Sequence, residues 1–253
     1  MLPHRREDLI SKLALVRFDP DARCPQWLRF LTRISGDNEW LPRFLQRLWL
    51  CAYWLDERAS VFLLYGVGAN GKSTFLNTLL TLLGDYALQT PSDTVLARRD
   101  NSIPDDVARL KGSGIVAAIE TEEDRRLSEA RVKQFTGEDR VAARFLFGEW
   151  FEYIPQFKLF LAVNHKPKFH GGDEAMWRRI VLTPFSEKIP EIERDKELAQ
   201  KLHAELSWIL NWCLEGQMAK GGFANSPRSP SSNCGLSHRN GRDIRFPRYM
   251  LHV

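Results

Sequence analysis

An α/β fold is what this sequence predicts, a strand–helix core entered through a short helical region, and three observations predict it. The apolar run Val61–Tyr65 breaks into Gly66-x-x-x-x-Gly71-Lys72-Ser73 and then into a helical stretch, Lys72–Leu83. Two further apolar runs, Ile115–Ile119 and Lys158–Val163, have buried-strand length, and each is followed by a polar residue, Glu120 and Asn164. Before residue 58 the apolar residues recur instead at spacings of three and four, the period of a helix.

Taken in order, the elements justify three zones. In residues 1–58, a helix opening at Pro25 puts Trp27, Phe30 and Leu31 on one face. A second helix, over residues 40–55, aligns Phe44, Leu45, Leu48, Trp49, Ala52 and Leu55, and reads as buried although it carries Gln46 and Arg47. Residues 59–216 then alternate strands and helices, as in an α/β ATPase core. In that zone Met176-Trp-Arg178-Arg179 leads into a last strand at Ile180. A single closing helix is expected over residues 190–214, with Leu198, Leu202, Leu206, Ile209 and Cys213 on one face and Gly216 as its stop. Residues 217–253 are rich in Ser, Pro, Arg and Asn without any period, and read as an unstructured basic tail. No internal repeat is present.

Composition narrows the class. At 253 residues with 43% apolar content, the chain can bury one substantial core or two modest ones. Four dispersed cysteines (Cys24, Cys51, Cys213, Cys234) form no C-x-x-C pair, which argues against zinc or a disulfide framework and suits a reducing cytoplasm. The first residues are charged rather than apolar, and no apolar run reaches membrane-spanning length, so neither a secretory leader nor a membrane partner is expected. The net charge of +4 belongs to the tail, where five arginines from Arg228 to Arg248 face one acid, Asp243. Any nucleic-acid contact in the body must therefore come from local placement of charge.

The glycine-rich segment carries the most specific chemistry. Gly66, Gly68 and Gly71 free the backbone to curl, so that its N–H groups face a phosphate at the N-terminus of the following helix. This is the pattern of a P-loop, with Gly66, Val67, Gly68, Ala69, Asn70, Gly71, Lys72, Ser73 and Thr74 as the nucleotide-binding set. Lys72 is expected on the β/γ-phosphates and Ser73 on Mg²⁺. An ordinary Gly-rich connector would lack the full spacing and both flanking elements.

Such chemistry needs an acid at the end of a buried strand, to hold Mg²⁺ and orient water. Glu120 stands there, with Glu122, Glu123 and Asp124 behind it; the last two read as a solvated loop. Asn164, at the end of the next strand, either caps a turn or reaches the γ-phosphate or the attacking water. Arg178 and Arg179 are either surface residues or a source of positive charge for a neighbouring subunit's nucleotide.

Three stretches resemble a known family. They are Lys133-Gln-Phe-Thr-Gly-Glu-Asp-Arg-Val-Ala-Ala-Arg144, Pro155-Gln-Phe-Lys-Leu-Phe-Leu-Ala-Val-Asn-His-Lys-Pro167 and Trp177-Arg-Arg-Ile-Val-Leu-Thr-Pro-Phe185. Together with Phe18-Asp-Pro-Asp-Ala-Arg-Cys-Pro25 they are similar to superfamily 3 helicases, in particular the phage and plasmid primase-helicases related to the poxvirus NTPase, over residues 18–216. The resemblance implies an AAA+-like P-loop ATPase core preceded by a small all-α domain. It implies ATP and Mg²⁺ as cofactors, with Lys72 and Ser73 in the Walker A motif and Glu120 as the Walker B acid. Either Glu120 or Glu122 would be the base. Asn164 would be sensor 1, and Arg179, with Arg178 as the alternative, the arginine finger.

Residues 133–157 would form the family's DNA-contacting hairpin region, with Lys133, Arg144 and Lys158 as candidate contacts; a cross-strand pair on a solvated face also explains the last two. The implied function is ATP-dependent translocation on single-stranded or forked DNA, by a homo-oligomeric ring, a hexamer by the resemblance, during phage or plasmid replication in the host cytoplasm. A separate primase or initiator would act with it. The rival reading is a truncated remnant that binds ATP and serves as an assembly subunit. A packaging-type ATPase explains the loop and Glu120 but not residues 133–185.

The family's usual continuation, P-x-V-x-x-A-x-x-Y-R-x-E-x-D, does not follow residue 216. One choice of codons for residues 233–242, read one base on, gives T-A-D-Y-R-T-E-M-D. A shift of reading frame near residues 220–222 would account for both facts, and sequencing that part of the gene decides it.

Overall fold

The computed structural model describes residues 11–51, 61–96, 105–119, 127–137, 139–165 and 174–215. Two helices come first, α1 (Pro25–Ser35) and α2 (Trp40–Cys51). Five strands then form one parallel sheet: β1 (Val61–Tyr65), β2 (Ala87–Gln89), β3 (Ile115–Ile119), β6 (Lys158–Val163) and β7 (Ile180–Pro184). Their order across the sheet is β2-β3-β6-β1-β7. Helices α3 (Lys72–Leu83), α4 (Asp105–Arg109), α5 (Glu129–Thr136) and α6 (Glu174–Trp177) connect them, and α7 (Leu198–Ala204) and α8 (Leu206–Glu215) close the described chain. A separate antiparallel hairpin, β4 (Val141–Ala143) with β5 (Phe151–Tyr153), follows α5.

The central strands are apolar throughout because both faces of the sheet are covered. Successive side chains point to opposite faces. Phe62, Leu64, Ile115, Ala117, Phe160 and Ala162 accordingly join one core, with α1, α2, α3, α7 and α8. Val61, Leu63, Val116, Ala118, Leu159 and Leu161 join the other, with α4, α5 and the hairpin. Each fully buried large side chain contributes about 1.5–3 kcal/mol, so three layers of this kind fix the sheet firmly.

Helix α1 is not in a core of its own. Trp27, fully buried, lies 5.9 Å from Phe75 of α3 and 5.4 Å from Trp212 of α8. The boundary expected near residue 58 therefore separates stretches of chain and not cores; residues 52–60 lie outside the described residues.

The single closing helix expected over residues 190–214 is two helices, broken at Glu205. The residue at the break makes a long-range contact. The Glu205 carboxylate accepts hydrogen bonds from the N–H groups of Gln26, at 3.0 Å, and Trp27, at 2.8 Å, and so caps α1, whose Cys24 offers no side-chain cap. Glu205→Ala is expected to lower stability by about 1–2 kcal/mol. The measurement is the urea midpoint, which should fall with an unchanged slope. Among the described residues no helix is long and apolar enough to cross a membrane. The tail expected from residue 217 lies outside the described residues.

Candidate functional site

The C-terminal edge of the sheet gathers the loop and its neighbours. Strand β1 runs into the glycine-rich segment at Gly66, whose N–H donates to the Val163 carbonyl at the end of β6, 3.2 Å away. Asn164, the next residue, is half-buried and thus stands beside the loop entrance. Strand β3 pairs with β6 through Ile119 and Ala162, so the chain leaves β3 on the same edge. Glu120 and Glu122 themselves lie outside the described residues.

Two glycines are required by the geometry. A Cβ on Gly66 would stand 2.1 Å from the Phe185 carbonyl oxygen. Gly71 has φ +84°, the left-handed region that favours glycine, and a Cβ there would meet Ile34 of α1 at 2.6 Å. The loop is thus gripped from two sides. Beneath lies α1, and above lies the segment after β7, where the Ile189 N–H donates to the Ala69 carbonyl at 2.8 Å. Arg33 ties the two grips together, bonding the Glu193 carboxylate at 2.8 Å.

Helix α3 begins at Lys72 without a side-chain cap, so its first-turn N–H groups are donors for an anion. Ser73 is exposed and Thr74 half-buried. Lys72 is 5% exposed, and its ammonium donates to the Gly66 carbonyl and, at 2.9 Å, to Asn70 Oδ1. Burial lowers its pKa to about 8.

Arg178 and Arg179 are not brought to this edge. The Val61 N–H donates to the Arg179 carbonyl at 2.8 Å, which puts both arginines beside the start of β1. The loop begins at the strand's other end, about 16 Å away for five residues of strand. Arg179 is further committed within its own chain, donating from Nη1 to the Thr136 carbonyl at 2.8 Å and hydroxyl at 3.0 Å at the end of α5. Arg178 is exposed.

Of the DNA-contact candidates, Lys133 is exposed on α5, and Arg144 is exposed where the hairpin turn begins, 5.1 Å over the Trp150 ring. Lys158 is a correction. As first residue of β6, paired with Ile115 of β3, it is 6% exposed and offers almost no surface to a polyanion. The sequence reading also missed the hairpin tip, where Leu146 and Phe147 are 71% and 99% exposed. The only signal was three adjacent apolar residues, Phe145 to Phe147, between two short strands.

No family model matches the chain. It is 32% identical over 177 residues to the "putative helicase" of Acanthamoeba polyphaga mimivirus, covering 68% of this chain and 18% of that protein. It is 28% identical over 170 residues to a "putative helicase" of Frog virus 3, covering 58% of this chain and 17% of the relative. It is 24% identical over 189 residues to a "putative primase" of African swine fever virus, covering 71% and 19%. The chain thus spans about a fifth of the length of these relatives. In fold it resembles the C-terminal region of NrS-1, with TM-score 0.61 and 15% identity, covering 81% of this chain and 49% of that one.

Proposed function

We propose that this chain is the ATPase part of a superfamily 3 DNA helicase acting in replication of viral, phage or plasmid DNA. The observation that carries the reading is the loop of residues 66–73 between β1 and α3, with Lys72 at its mouth and Asn164 beside it on the adjacent strand. The likeness to viral proteins named as helicases and a primase supports the same reading.

ATP and Mg²⁺ fit the donors present. The uncapped N-terminus of α3 offers first-turn backbone N–H groups, Gly68 faces open space, and the exposed Ser73 hydroxyl is a hard oxygen ligand. When bound, Mg·ATP supplies the transferable phosphoryl group. Lys72 would hold phosphate charge at the loop mouth, and Ser73 and Glu120 would hold the metal. Glu120 or Glu122 takes the proton from the attacking water, which Asn164 orients.

Arg178 lies too far from its own loop to serve it, so the site is completed by a second copy of the chain. A ring, six-membered in this reading, presents Lys133, Arg144 and the hairpin to a single strand. Residues 1–58 are the helical entry to an ATPase core of residues 59–216. A separate primase or initiator loads the ring, and the setting is the host cytoplasm.

Two outcomes test this. Lys72 is charged below about pH 8 and loses its proton above, so affinity for a fluorescent ADP is expected to fall as pH rises through that value. Lys72→Arg removes this limb. A forked duplex with one labelled strand should be displaced only with ATP and Mg²⁺ present. ATP binding without turnover or displacement would mark a nucleotide-dependent assembly subunit instead.

A further inference from the structure

Asn70 lies inside the loop at 2% exposure, and every part of its side-chain amide is engaged. Nδ2 donates to the Val67 carbonyl at 3.1 Å and to the Phe185 carbonyl at 3.0 Å. Oδ1 accepts from the Lys72 ammonium at 2.9 Å. Chemistry fixes this orientation, because carbonyls only accept and an ammonium only donates. Aspartate would turn an acceptor towards two carbonyls, and glutamine would carry the amide one methylene too far.

An ammonium has three N–H donors. Gly66 and Asn70 take two of them, which aims the third. Phe185 follows β7 directly, so the bond to its carbonyl makes the lysine's position depend on where that strand ends.

We propose that Asn70 is a positioning residue that holds Lys72 ready for a phosphate and couples it to the end of β7. The inference rests on the nucleotide-binding reading of the loop. The Asn70 side chain acts through the lysine, since its amide is committed at both ends to protein groups. Its loss lets the ammonium wander, and phosphate binding must then supply the ordering that the amide provides in advance.

The test is a double-mutant cycle on a fluorescent ADP with Mg²⁺, using Asn70→Ala, Lys72→Ala and the double variant of the full chain, with melting temperatures measured alongside. Asn70→Ala should weaken binding about tenfold or more, as loss of a hydrogen bond to a charged group does. In the Lys72→Ala background the same change should weaken it less than about threefold. If alanine lowers the melting temperature, Asn70→Ser is the variant to read, since its hydroxyl can still donate nearby but does not reach Lys72. Equal losses in both backgrounds would reduce Asn70 to a loop-shaping residue and overturn the proposal. So would unchanged affinity in Asn70→Ala. If the unaltered chain binds no nucleotide, the reading of the loop fails, and the proposal with it.

Discussion

Arg178→Ala is expected to cut ATP hydrolysis on the order of 10³-fold, the effect of withdrawing a finger from developing phosphoryl charge, while nucleotide affinity stays within about twofold. The reason is placement. Arg178 is exposed at the edge of the sheet away from the loop, so in the ring proposed above it would serve a neighbour's nucleotide and not its own. Arg179→Ala should behave differently. It removes the bonds to Thr136, and should lower stability by about 1–2 kcal/mol, with a smaller effect on turnover. Mixing Arg178→Ala and Lys72→Ala protomers is the decisive check. Neither turns over alone, yet a mixed ring contains some interfaces where an intact loop meets an intact arginine. Recovery of activity on mixing supports action between subunits, and none would place both residues in one site.

Much of this fold was legible because local chemistry and burial agreed. Val61–Tyr65, Ile115–Ile119 and Lys158–Val163 read as strands from uninterrupted apolar runs, and the two covered faces of the sheet require such runs. Lys72–Leu83 read as a helix from its position after the glycines. What sequence spacing hid were the long-range contacts. Nothing local marks Glu205, 179 residues from Gln26, as the cap of α1, and the interruption of the closing helix at the same residue went unseen. The same holds for Lys158. Its charge suggested solvent, but the strand it begins lies between two others and covers it. In the site, the glycines marked a turn between a strand and a helix, and the loop does stand between β1 and α3. The grip of α1 and of the segment after β7 on the loop did not appear, because Ile34 and Ile189 look like any core residues in the sequence.

Lys72→Ala carries the other large effect. Its ammonium is the buried positive charge at the loop mouth, held 2.9 Å from Asn70 Oδ1. Alanine removes the charge without touching the backbone donors of α3, so the helix and sheet should persist, at a stability cost of about 1–2 kcal/mol for the bonds lost to Gly66 and Asn70. Loss of one such charged donor lowers turnover by at least about 10²-fold. The measurement that tests the account most directly is therefore Mg²⁺-dependent ATP hydrolysis with and without single-stranded DNA, on the chain and on Lys72→Ala. Turnover stimulated by DNA and abolished by the substitution is the predicted result. Turnover indifferent to Lys72, or no nucleotide bound by the unaltered chain, would contradict it.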